Sequence, residues 1–206
     1  MPDSLISRGE LGRICHRVSD TVQRYLGATD LYDRAQCMHY VFFGQFLLAE
    51  EGIQAEIRVG YGAWRVGPMD GDVIVHVPNA GSSPGKALAY HAWLELESAE
   101  GRLGLDFSTS SLRRKADELD AIDGKTTVVD WVPDYLIFDP DSATDFGSVC
   151  NGNTGEYFYR RDTKLEAIVI AHTTKMEAEE QQILTLLHSQ PLVEVLGPKS
   201  FNSMKP

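Results

Sequence analysis

A chain of 206 residues with 43% hydrophobic content is long enough to bury a sizeable core in one domain. Its 30 acidic and 19 basic residues leave a formal net charge of −11, which repels phosphate backbones and anionic membrane surfaces and excludes nucleic acid as an expected partner. The most apolar window, Tyr40 to Ala49, is too short to span a bilayer, and the opening MPDSLISRGELGR has neither the basic start nor the apolar run of an export signal, so a cytoplasmic location is expected.

Ser7-Arg8-Gly9-Glu10 fits a capping box, and Leu11, Ile14, Cys15, Val18, Val22 and Leu26 then recur at helical spacing, predicting a helix over 9–26. Cys15 lies on the apolar stripe and reads as a structural thiol; His16, beside the stripe, faces solvent. Asp33-Arg34-Ala35-Gln36 is a second capping box with Asp33 as N-cap, so Cys37 falls in the first turn of the next helix. From there to Glu51, apolar residues cover nearly the whole circumference, predicting a helix buried on most sides, with Gly52 as its C-terminal cap. The period then changes. Ile53, Ala55, Ile57, Val59 and Tyr61 alternate with Gln54, Glu56, Arg58 and Gly60 as in a half-buried strand. Asp72 to Val77 is a second strand, followed by a turn-rich loop over 78–85. Tyr90 to Glu97 and Arg102 to Phe107 flank a tight connection at Ser98-Ala99-Glu100-Gly101.

Beyond Ser110 the pattern predicts a short acidic helix over 112–122 and strands over 135–138 and 157–160. Leu165 to His172 reads as an apolar strand or other buried element, and Met176 to His188 as a helix opened by Thr174 and ended before Pro191. With no repeat and no linker, the expectation is one α+β domain over 1–206, with a core at 33–110 and a variable remainder at 111–206.

Three cysteines without a CxxC pair give neither a disulfide framework nor a zinc site. Of Cys15, Cys37 and Cys150, only Cys37 sits at a helix start, where the dipole and free backbone N–H groups favour thiolate. A working thiol also needs an imidazole and a group that orients it. His39 points to the other side of the Cys37 helix. His16 and His188 read as surface helix residues, and His76 and His172 lie in strand-like segments without an obvious partner. His91 is different. Pairing Ser98 with Gly101 sets Leu96 against Leu103, Leu94 against Leu105 and Ala92 against Phe107, an apolar face. Alternation then places His91, Trp93 and Glu95 with Gly104, Asp106 and Ser108 on the opposite face, Asp106 diagonal to His91 and Ser108 opposite it. A one-residue slip would break the apolar pairing. Taken singly, His91 fits a half-exposed surface pair and Asp106 a cap on the following loop; it is their joint occurrence with Cys37 that points to thiol chemistry.

The words QC at 36–37, LAEEGIQAEIRVGYG at 48–62, HAWLEL at 91–96 and LDFS at 105–108 make the span from Gln36 to Ser108 resemble the core of transglutaminase-like proteins, within the papain-like cysteine proteinase fold. The resemblance implies a buried N-terminal catalytic helix packed on an antiparallel sheet, with Cys37 as nucleophile, His91 as base and Asp106 as the orienting acid, and it implies no metal or organic cofactor. Met38 stands where animal-type transglutaminases and many bacterial relatives carry an aromatic residue, so an oxyanion donor from that side chain is missing. Arg34 resembles the arginine of the Arg-Gly-Gly-x-Cys motif of arylamine N-acetyltransferases, whose two glycines this chain lacks. The Cys37 backbone N–H is a candidate oxyanion donor. Gln36 is either a second donor or only part of the helix cap, and Trp93 and Ser108 are candidate supports. Tyr90 faces away from the site by alternation. The loops at 79–85 and 150–155 either border the cleft or are plain surface. The expected activity is acyl transfer through an acyl-enzyme, as hydrolysis of an amide, peptide, ester or thioester; peptide and small-molecule acyl donors both remain open, as does the oligomeric state. Two other readings stand beside it: a catalytically silent binding module, and a metal site formed by Cys37, His91 and Asp106.

Overall fold

The computed structural model describes residues 5–29, 36–76, 90–142, 144–173 and 176–190. Helix α1 (Arg8–Gly27) starts where Ser7 accepts the Glu10 N–H at 3.3 Å, as the capping box predicts, and buries Leu11, Cys15, Val18, Val22 and Leu26. Helix α2 (Cys37–Glu50) has Gln36 as N-cap and Cys37 as its first residue. The predicted cap Asp33, with Arg34, lies outside the described residues. The polar group that closes on the helix start is instead the His39 ring, whose Nδ1 accepts the Gln36 N–H at 3.1 Å. At the far end Gly52 takes φ +78°, a left-handed turn that suits a residue without Cβ.

Among the described residues six antiparallel strands follow: β1 (Glu56–Arg65), β2 (Val73–His76), β3 (His91–Ser98), β4 (Gly101–Asp106), β5 (Leu136–Phe138) and β6 (Tyr157–Arg161). Their order is β2-β1-β3-β4-β5, and β6 pairs with β1. The β3–β4 hairpin has the register that the alternating leucines predict: Ser98 with Gly101, Leu96 with Leu103, and Leu94 with Leu105. Gly101 turns the corner at φ +111°. Strand β1 runs four residues beyond the predicted end at Tyr61. Gly62 to Arg65 pair with β2, and Gly60 to Trp64 pair with β6; both partner strands are predicted, but their pairing with β1 is long-range and local periodicity does not reveal it.

After a short 3₁₀ turn at Ser108–Ser111 come α3 (Leu112–Asp123), α4 (Phe146–Asn151), α5 (Thr163–His172) and α6 (Ala178–Ser189). The apolar run at 165–172, predicted as a strand or buried element, is helical: Asp162 accepts the N–H groups of Lys164 and Leu165, each at 3.0 Å. A short apolar run has no period that separates the two structures, and the cap decides. Helix α6 starts behind Glu177, while Thr174 lies outside the described residues. His188, predicted on the surface, is tied down by Thr21 Oγ1 at 3.0 Å and Glu51 Oε1 at 2.7 Å.

Two apolar clusters flank the sheet. One joins α1, α2 and the leucine face of the hairpin to Leu165, Val169 and Leu184, so residues beyond 111 share the core of the earlier ones. The other gathers Trp64, Val66, Ile74, Leu112, Ala116 and Val129. No described helix is long and apolar enough to cross a membrane.

Candidate active site

At the start of β3, His91 is wholly buried, and its Nε2 meets Asp106 Oδ2, in the last residue of β4, at 2.8 Å. The hairpin register produces this contact by placing both residues on the face opposite the leucines. Asp106 is held from two further sides. The Ser108 backbone N–H donates to Oδ1 at 2.8 Å, and the Tyr159 hydroxyl donates to Oδ2 at 2.7 Å. Tyr159 in turn accepts the Trp64 Nε1–H at 2.8 Å, so a relay from β1 through β6 ends on the carboxylate. Burial pushes the Asp106 carboxyl up. The His91 ring outweighs it, with the Lys115 charge and the Tyr159 hydrogen bond, and holds the carboxyl well below its ordinary range.

With Nε2 taken, Nδ1 is the nitrogen of His91 left over. It is buried and has no hydrogen-bond partner among the described residues. The neighbour that acts on this ring besides Asp106 is Cys37, 5% exposed at the first position of α2. Burial pushes the Cys37 thiol up. The neighbouring His91 ring, then the Lys115 charge and the Ala92 backbone N–H, pull it net below the ordinary thiol range. Reciprocally, burial disfavours a charged His91, but Asp106 and then Cys37 raise the ring above its ordinary value. Both directions favour a thiolate–imidazolium pair. By contrast, burial without a partner pushes Cys15 up to about 12.

The supporting residues divide. Trp93 lies nearly parallel to the His91 ring, centroids 6.3 Å apart, and its indole N–H is fixed by Glu95 Oε1 at 3.1 Å. Ser108 acts on Asp106 through its backbone, while its buried Oγ has no partner among the described residues. Gln36 is exposed at the N-cap and its own backbone N–H goes to His39, which leaves the free amide of Cys37 as the donor closest to the sulfur by position in the chain. Tyr90, expected to face away, packs on the first cluster, and its phenol is raised by burial and by the Cys37 charge, so it lies in the field of the thiol. The loop at 79–85 that precedes β3, like the rest of 77–89, lies outside the described residues. The segment at 150–155 is part helix and serves Arg65, whose guanidinium donates to the Cys150 carbonyl at 2.8 Å. His91 and Asp106 bond each other, and no group of three or more His, Cys, Asp or Glu among the described residues is placed to hold a metal ion.

Four residues of this environment escape sequence reasoning: Trp64, His76, Lys115 and Tyr159. His76 Nδ1 meets the Tyr90 carbonyl at 3.0 Å, and the ring stands 5.5 Å from that of His91. Burial, and then the charges of Lys115 and His91, depress His76 to about 3, so it is neutral. Tyr159 could have been suspected only from the alternation Tyr157, Tyr159 in a predicted strand; nothing local says which strand that one joins.

No protein-family model matches the sequence, and no curated protein matches it significantly. A solved structure described as the crystal structure of genomics APC5867 is similar, with a TM-score of 0.52 at 17% identity over 91% of this chain and 81% of that one. At such identity the likeness is one of fold.

Proposed function

We propose that the protein is a cysteine-dependent acyl-transfer enzyme of papain-like, transglutaminase-related architecture that hydrolyses an amide, peptide, ester or thioester. The observation that carries this reading is the position of His91: one nitrogen on a buried, three-fold-bonded carboxylate, the other free beside a helix-start thiol whose pKa is lowered. Cys37 Sγ attacks the carbonyl carbon, and the oxyanion forms towards the Cys37 amide. As the carbon–leaving-group bond breaks, His91 Nδ1 gives its proton to the departing amine, alcohol or thiol, leaving a thioester on Cys37. Neutral His91 then takes a proton from water, whose oxygen attacks the thioester. The acid product leaves, and the proton returns the pair to thiolate and imidazolium. Asp106 holds the ring and stabilises its charge throughout.

The near-complete burial of Cys37 and His91 favours a second reading, a silent binding module with the same core. Peptide-resolved iodoacetamide labelling across pH separates the two. An enzyme labels at Cys37 well below the ordinary thiol pKa of about 8.5 and loses this in His91→Ala. Slow labelling of Cys37, indistinguishable from that of Cys15 and insensitive to His91→Ala, would defeat the proposal.

A further inference from the structure

Lys115, on α3, holds its ammonium 5.6 Å from the centroid of the Trp64 ring, and Trp64 meets the His91 ring edge-on at 4.6 Å. The Lys115 Nζ is shut off from solvent and has no hydrogen-bond acceptor among the described residues. A desolvated cation–π contact offsets only part of what burying an ammonium costs. Such a cation persists only if nearby anions make up the difference.

The charged and titratable groups around it can be followed element by element. On α3 itself, Arg114 and Glu118 bond each other at 2.7 Å and act on Lys115 in opposite directions, Arg114 the more strongly. His76 on β2 is neutral, and Tyr159 on β6 is a phenol that donates to Asp106. What remains is Cys37 at the start of α2, His91 on β3 and Asp106 on β4. A thiolate, an imidazolium and a carboxylate together carry one uncompensated negative charge in a buried site, and one more cation brings the sum to zero. Lys115 is in the electrostatic reach of both anions: burial lowers its pKa below the ordinary lysine value, and the charges of Cys37 and then Asp106 are the main influences that oppose this.

Resting on the thiolate–imidazolium reading above, we propose that Lys115 is a positioning residue of this site. It is the fixed cation, held over Trp64, that balances the charge of Cys37, His91 and Asp106 and so sets the fraction of Cys37 present as thiolate. It acts through the field rather than by contact with the reacting atoms, so neutralising it alters the ionisation of the thiol and leaves the His91–Asp106 bond in place.

The test is alkylation of the native full-length chain by iodoacetamide over a range of pH, read peptide by peptide, in wild type, Lys115→Met, Lys115→Arg and His91→Ala. Lys115→Met is expected to move the Cys37 midpoint up by one pH unit or more, about ten-fold less thiolate below the midpoint, without moving that of Cys150. Lys115→Arg is expected to restore at least half of the shift. A Lys115→Met midpoint within about 0.3 unit of wild type, a two-fold change at most, overturns the proposal. If His91→Ala raises the midpoint and Lys115→Met does not, the role of Lys115 alone fails; if neither moves it, the thiolate–imidazolium reading fails with it. Should Lys115→Met not fold, the reciprocal measurement decides, because coupling between two sites is mutual. In protein labelled with ¹³Cε-lysine, Cys37→Ala is expected to lower the NMR titration midpoint of Lys115 by a comparable amount, and an unmoved midpoint overturns the proposal.

Discussion

Replacing Tyr159 by Phe tests the relay that ends on Asp106. The substitution keeps the ring, and with it the stack on Phe138 at a centroid distance of 4.0 Å, and removes one oxygen. That oxygen makes two buried hydrogen bonds, to Asp106 Oδ2 at 2.7 Å and from Trp64 Nε1 at 2.8 Å. A hydrogen bond to a charged acceptor contributes about 1.5–3 kcal/mol, and an indole N–H left buried without an acceptor costs about 1–3 kcal/mol. Asp106 keeps His91 and the Ser108 amide, so the carboxylate is not stranded, and the combined loss is about 3 kcal/mol rather than the sum of the upper values. For a urea m-value of about 2 kcal/mol/M this moves the unfolding midpoint down by roughly 1.5 M, followed by tryptophan fluorescence at neutral pH. The cycle with Trp64→Phe isolates the relay. Once the indole N–H is gone, Tyr159→Phe strands nothing on that side, and the double variant should lose at least about 1 kcal/mol less than the two singles added. A Tyr159→Phe protein within about 0.5 kcal/mol of wild type, or a strictly additive cycle, would refute the reasoning.

Two further predictions follow from the same neighbourhood. Asp106 has a folded-state pKa below its unfolded value of about 3.9, so its contribution is complete above that value and is lost as the pH falls through the folded one; Asp106→Asn is expected to flatten the loss of stability between about pH 5 and pH 2.5, and an unchanged acid slope in urea titrations would contradict this. Gly104→Ala would set a Cβ 2.3 Å from the Phe138 ring, which is packed between β4 and Tyr159, so we expect a loss of about 1–3 kcal/mol in urea unfolding; a neutral variant would mean that the ring has room to yield.

The legible part of this molecule is the part that local periodicity controls. Alternating leucines in the hairpin predict its register, and through it the His91–Asp106 contact, because a slip by one residue would turn Leu94, Leu96, Leu103 and Leu105 to the wrong face. The capping box at Ser7 likewise predicts the start of α1. The second box did not predict the start of α2, since the His39 ring closes on Gln36 from inside the helix, a contact that the usual list of capping residues omits. The run at 165–172 was ambiguous for a plain reason: Leu, Ala, Ile and Val suit a buried helix as well as a strand, and only the Asp162 cap distinguishes them. Tyr159, Trp64 and Lys115 were illegible because their significance depends on which strand β6 joins and which helix lies over Trp64. Both are matters of long-range pairing, with no signature in the residues themselves.

The strand that supplies Tyr159 gives the candidate site a time of completion. Cys37, His91 and Asp106 all leave the ribosome ahead of it, and Tyr159 follows Asp106 by 53 residues. At roughly 5–20 residues per second that interval lasts some 3–10 s, during which the hairpin can form but β1 lacks one neighbour and the carboxylate lacks one donor. A nascent chain therefore carries its thiol, imidazole and carboxylate well before it can set their ionisation, and a fragment cut after Ser108 would hold the three residues of the motif without the environment that tunes them.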